Sequence, residues 1–185
     1  EKHKSGIAEI FSDLVNMPKT MKQLGVVQFF SWFALFSMWV FTTPAVVDHV
    51  YHIRAGDTSS VEYNNAANWV NVCFGVYNLV SAIYALLLPR IVRNTSRIKT
   101  HAFSLVMGGI GLISIYFIQN HYLLLLSMIG IGLAWGSILA MPYAILSSSI
   151  PVKKIGVYMG IFNFFITFPQ IVNGIIGGPI VKYFY

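Results

Sequence analysis

Five apolar runs constrain this chain more than any motif it carries: Leu24 to Val47, Ala67 to Leu88, Thr100 to Ile118, Tyr122 to Leu146 and Ile155 to Ile176. Crossing about 30 Å of hydrocarbon as a helix takes roughly 20 apolar residues. Each run is therefore long enough to span a bilayer. Inside a bilayer every backbone polar group must be satisfied within the protein, so the runs predict helices. The fold class that follows is an all-α membrane protein. Hydrophobic residues make up 56% of the chain and charged residues 10%, with a mean hydropathy of +0.68, which removes the soluble classes.

The formal charge of +6 is read by its location. Lys2, Lys4, Lys19 and Lys22 precede the first run, Arg90, Arg93, Arg97 and Lys99 follow the second, and Lys153 and Lys154 follow the fourth. Basic residues on alternate connections mark the cytoplasmic side, so the first span starts inside. The charge needs no nucleic-acid partner. The sequon at Asn94-Thr95-Ser96 then lies on the inner side and is expected to stay unmodified. With one cysteine, Cys73, the chain has neither an internal disulfide nor a multi-cysteine metal site.

Residues 1–23 read as a cytoplasmic linker or a surface amphipathic helix, the latter because Ile7, Ile10, Phe11, Leu14 and Val15 recur at helical spacing. Residues 24–185 form the transmembrane bundle. The outer connection Asp48 to Asn65 is polar and needs no structure of its own. His49 and His52 within it read as interfacial histidines at a helix end, since a metal site needs three or four converging ligands.

All six acids lie outside the apolar runs or at an edge, and no phosphate-binding loop is present, so no catalytic constellation is expected, and no cofactor or metal. What remains inside the runs is uncharged polarity. Positions three, four or seven apart share a helix face, which pairs Gln28 with Trp32, Asn71 with Asn78, and Asn163 with Gln170. Trp135 and Tyr143 add an indole and a phenol on the fourth run. Amides exchange hydrogen bonds with hydroxyls and a ring covers the apolar face of a sugar, so Gln28, Trp32, Asn71, Asn78, Trp135, Tyr143 and Gln170 are the expected substrate-binding residues. The competing reading is that amides join helix to helix. Asn163 falls under it, because Gly156 and Gly160 precede it in a close-packing stripe. Pro169 removes a backbone hydrogen bond and is expected to bend the fifth helix beside Gln170.

Three segments carry a family resemblance: "LPRIVRNTSRIKTH" from Leu88, "MPYAILSSSIP" from Met141 and "GVYMGIFNFFITFPQIVNGIIGGP" from Gly156. From about Met17 onward the chain resembles the second half of a major facilitator superfamily transporter. More narrowly, it is similar to the sucrose–proton symporters and their bacterial maltose- and maltodextrin-transporting relatives. The family's inner loop usually reads P-K-L-A-D-K-I-G-R-K. Here Arg93 stands at the acid and Ser96 at the glycine, while Arg97 and Lys99 persist.

The resemblance implies helices seven to eleven of a twelve-helix carrier that works by alternating access. It gives Arg97 a gating role. Its partners would be membrane lipid and the N-terminal bundle of the same protein, with the last helix also missing, in a bacterial inner (plasma) membrane. The function it implies is uptake of a disaccharide or other sugar, coupled to protons by an acid in the first bundle. Other readings are a permease for another neutral or amphipathic solute and a non-transporting membrane sugar sensor.

Overall fold

A computed structural model of the chain describes residues 12–53 and 58–184. Among the described residues five helices are long and apolar enough to cross a membrane: α1 (Lys19–His49), α2 (Val61–Asn94), α3 (Arg97–Phe117), α4 (Leu124–Ser147) and α5 (Ile155–Phe184). A 3-10 turn at Val152–Lys154 leads into α5. No strand occurs among the described residues. The fold is an all-helical, multi-pass membrane bundle. Ile7, Ile10 and Phe11, on which the amphipathic-helix reading rests, lie outside the described residues. Residues 19–23, read as part of the leading segment, already belong to α1.

The helices outrun the apolar stretches that announce them. Residues Val61 to Asn65, expected in the outer connection, form the start of α2, which Ser60 caps by accepting a hydrogen bond from the Tyr63 amide at 3.1 Å. At its other end α2 continues through Pro89 to Asn94. The basic connection thereby shrinks to Thr95 and Ser96. Ser96 caps α3 by accepting from the Lys99 amide at 3.2 Å, and Thr95 Oγ1 lies 2.8 Å from both the Ile91 carbonyl and Thr100 Oγ1. Hydropathy registers only the hydrocarbon layer, whereas a helix continues into the headgroup region as long as its ends find caps.

The chain divides into two compact units, Glu1–Phe36 with Pro142–Tyr185, and Ser37–Met141. The second unit is held by small residues and hydroxyls. A Cβ added at Gly132 would sit 2.7 Å from the Tyr77 carbonyl oxygen, and one at Gly111 2.6 Å from that of Ser127. Glycine is what lets these backbones approach. Between these helices Ser114 of α3 meets Ser127 of α4 at 2.7 Å, Tyr84 of α2 meets Ser104 of α3 at 2.8 Å, and His101 Nδ1 of α3 meets Ser137 Oγ of α4 at 2.8 Å. At the end of α1, His49 stacks on Tyr116 with ring centroids 5.8 Å apart, and His52 takes a left-handed φ of 54° while its amide bonds to the Asp48 carbonyl.

In the first unit Asp13, 5% exposed, binds Lys154 Nζ at 2.6 and 2.9 Å through its two carboxylate oxygens. Asn173, 2% exposed, donates to the Phe33 carbonyl at 3.3 Å. Gly25 lies against the Phe165 ring. The stripe of Gly156 and Gly160 does not make the close contact expected of it: a Cβ at either meets nothing within 4 Å among the described residues. Close glycine packing sits instead on α3 and α4, where a neighbouring helix stands opposite. Helix α5 runs on as helix through Pro169 and Pro179.

Candidate functional site

In the second unit three helices bring aromatic side chains together. Trp39 of α1 donates through Nε1 to the Tyr77 hydroxyl of α2 at 3.0 Å. The Trp39 and Trp135 rings meet edge to face, centroids 5.3 Å apart at 88°, Trp135 coming from α4. Phe74 lies edge-on to Tyr77 at 5.6 Å. Tyr77 is 5% exposed while the two indoles are half-buried. The Tyr77 oxygen accepts from Trp39 and so keeps its own proton for another acceptor. The cluster therefore offers aromatic surface with a donor at its base. The sequence alone points to Trp135 as a substrate-binding residue and does not single out Trp39. Its signal was available, since Trp39 follows Trp32 by seven positions, nearly two helical turns.

Asn71 and Asn78 are both exposed on α2, beside the buried row Val70, Cys73, Tyr77 and Ser81. Asn78 Nδ2 bonds to the Phe74 carbonyl of its own helix at 2.8 Å. Neither amide bonds to another helix among the described residues. The interhelical work assigned to amides is done in this unit by serine, tyrosine, histidine and tryptophan. Exposed amides within a span need a polar counterpart, because an unpaired polar group in hydrocarbon is costly.

In the first unit Gln28 is fully buried, and neither its Nε2 nor its Oε1 has a hydrogen-bond partner among the described residues. Such a group normally has a partner, and leaving one without costs about 1–3 kcal/mol. Trp32, four positions on, is 9% exposed. Tyr143 of α4 donates to Asn163 Oδ1 of α5 at 2.8 Å and packs edge-on against Phe162. Asn163 therefore joins two helices, through a phenol rather than along the glycine stripe. Gln170 Nε2 turns back to the Ile166 carbonyl at 3.1 Å, so one of its two N–H donors is used within α5, and the second N–H and the oxygen make no bond to another helix among the described residues. Pro169 is buried. Arg97 is exposed in the first turn of α3.

Among the described residues no group of three or more His, Cys, Asp or Glu side chains is placed to hold a metal ion. Five apolar helices, amides inside the spans and aromatic rings gathered where three helices meet define a polytopic membrane protein built around uncharged polar chemistry. The Major Facilitator Superfamily model matches residues 1–173. The chain belongs to that superfamily, whose members are transporters rather than enzymes. No curated protein and no solved structure matches the chain.

Proposed function

We propose that these helices are the second bundle, helices seven to eleven, of a sugar carrier that moves a disaccharide or related sugar together with protons, in a bacterial inner membrane. The supporting observation is the Trp39–Tyr77–Trp135 cluster, flanked on α2 by two amides that take no part in the bonding between helices. Rings of this kind lie flat on the C–H face of a pyranose, and amides match its hydroxyls.

No acid lies within the five runs, so the proton carrier of this reading belongs to the other bundle. Uptake of a panel of labelled sugars by the full-length protein, with and without a protonophore, tests the reading. Accumulation of one sugar that collapses with the protonophore supports it. Export of lipophilic cations with no sugar uptake replaces it with an amphipathic-solute permease. Sugar-induced stabilisation without counterflow makes the protein a sensor.

A further inference from the structure

The first unit carries a groove of about 410 Å³. Its walls are aromatic: Phe29 and Phe30 from α1, Phe164, Phe165 and Phe168 from α5. Gly25, Val26 and Lys22 of α1, with Met17 just before that helix, complete its lining. The packing keeps it open on one side, since Phe30 is 67%, Val26 59% and Phe164 54% exposed.

Two features decide what fits. The first is length. From Lys22 to Phe30 the helix rises about 12 Å, close to one leaflet, or half of the ~30 Å hydrocarbon thickness. The groove thus runs from the headgroup level towards the bilayer midplane. The second is charge. Lys22 is exposed, has no ion-pair partner among the described residues, and shares a helix face with Lys19, three positions earlier. Both lie on the basic side of the protein, which faces the leaflet where anionic lipids attract such residues.

We infer that this groove is a binding site for an anionic phospholipid of the inner leaflet, its phosphate on Lys22 and one acyl chain along the phenylalanine walls. A free polar anion does not suit a cleft whose walls are hydrocarbon. A protein segment would have to bring both an apolar stripe and an acid placed at Lys22. The lipid satisfies both ends at once, and it would fix the entry of α1 against the middle of α5.

The test uses the purified full-length protein, titrated with phosphatidylglycerol or phosphatidylcholine of identical acyl chains, with bound lipid counted by native mass spectrometry and stability followed by melting. The wild type is expected to prefer phosphatidylglycerol by about fivefold, the effect of one basic residue at an anionic surface. Lys22→Gln should remove the preference and Lys22→Arg should keep it. Val26→Trp, which fills the groove, should lower retention of both lipids. Equal retention of the two lipids by the wild type overturns the proposal, as does a preference that survives Lys22→Gln. Failure to retain either lipid also overturns it and leaves the groove to another protein segment. If Val26→Trp does not fold, the Lys22 pair decides alone.

Discussion

Asp13 and Lys154 are joined by a two-pronged ion pair, Nζ standing 2.6 Å from Oδ1 and 2.9 Å from Oδ2, so that the segment before α1 is tied to the turn that leads into α5. The carboxylate side chain is 8% exposed and the lysine 41%, which places the pair between a buried bridge and a screened surface one. Discounted for that exposure, its loss should cost on the order of 1 kcal/mol. Asp13→Asn and Lys154→Gln should each lower the melting temperature, and the double variant should cost less than the sum of the two. Additive losses would show that the charges do not act on each other.

Glycine substitutions should separate the helix contacts that are made from those that are not. Gly132→Ala drives a methyl towards the Tyr77 carbonyl, a backbone atom that cannot swing aside, and should destabilise by about 1–3 kcal/mol. Gly160→Ala meets open space and should leave melting within about 0.5 kcal/mol of the wild type. A large loss at Gly160 would mean that some element outside the described residues is packed against it.

The aromatic cluster makes a prediction about cargo. Trp135→Ala removes a half-buried ring while leaving the Trp39–Tyr77 hydrogen bond in place, and should weaken sugar affinity by about tenfold with little change in melting. Tyr77→Phe takes away the acceptor of Trp39 and should lower stability by about 1 kcal/mol. Both are read by binding and melting in one detergent. A Trp135→Ala protein that binds sugar like the wild type removes this cluster from the site.

Orientation can be read by cysteine labelling in a Cys73→Ser background. A cysteine at Ser59 should react with an impermeant reagent from outside, and one at Asn94 only after permeabilisation. Asn94 is the better inner probe because it is exposed, whereas Ser96 holds the first turn of α3 and its loss would cost roughly 1 kcal/mol. The reverse pattern inverts the topology.

The five spans and their class were legible in the sequence because hydrocarbon imposes a length and a composition that nothing else requires. Their ends were not, since Glu62, Asn64 and Arg93 are as compatible with a helix in the headgroup layer as with a loop. The bonds between helices were hidden for a different reason. A serine inside a helix can bond its own preceding turn, as Ser104 does to the Thr100 carbonyl at 2.8 Å, and only the fold shows that it also meets Tyr84. Glycine spacing was equally ambiguous: Gly132 and Gly136 on α4, four apart like Gly156 and Gly160 on α5, have a partner opposite, and the α5 pair has none among the described residues. Of the polar residues proposed for the site, Trp135 lies in a cluster, Asn71 and Asn78 on an exposed face, and Gln28 in the interior.

The corner between α2 and α3 has a practical consequence for handling the protein. Only Thr95 and Ser96 stand between the two helices, and both side chains are engaged, Thr95 with the helix behind it and with Thr100 ahead, Ser96 with the helix ahead. Where the family's glycine would confer a freely bending turn, this chain has a corner whose shape is fixed by its own hydroxyls. Four cations, Arg90, Arg93, Arg97 and Lys99, are consequently carried at set intervals along two helix ends rather than on a pliable strap. An epitope or fluorophore inserted there would have to break a cap to enter, so it would report on a damaged hairpin rather than on the working protein.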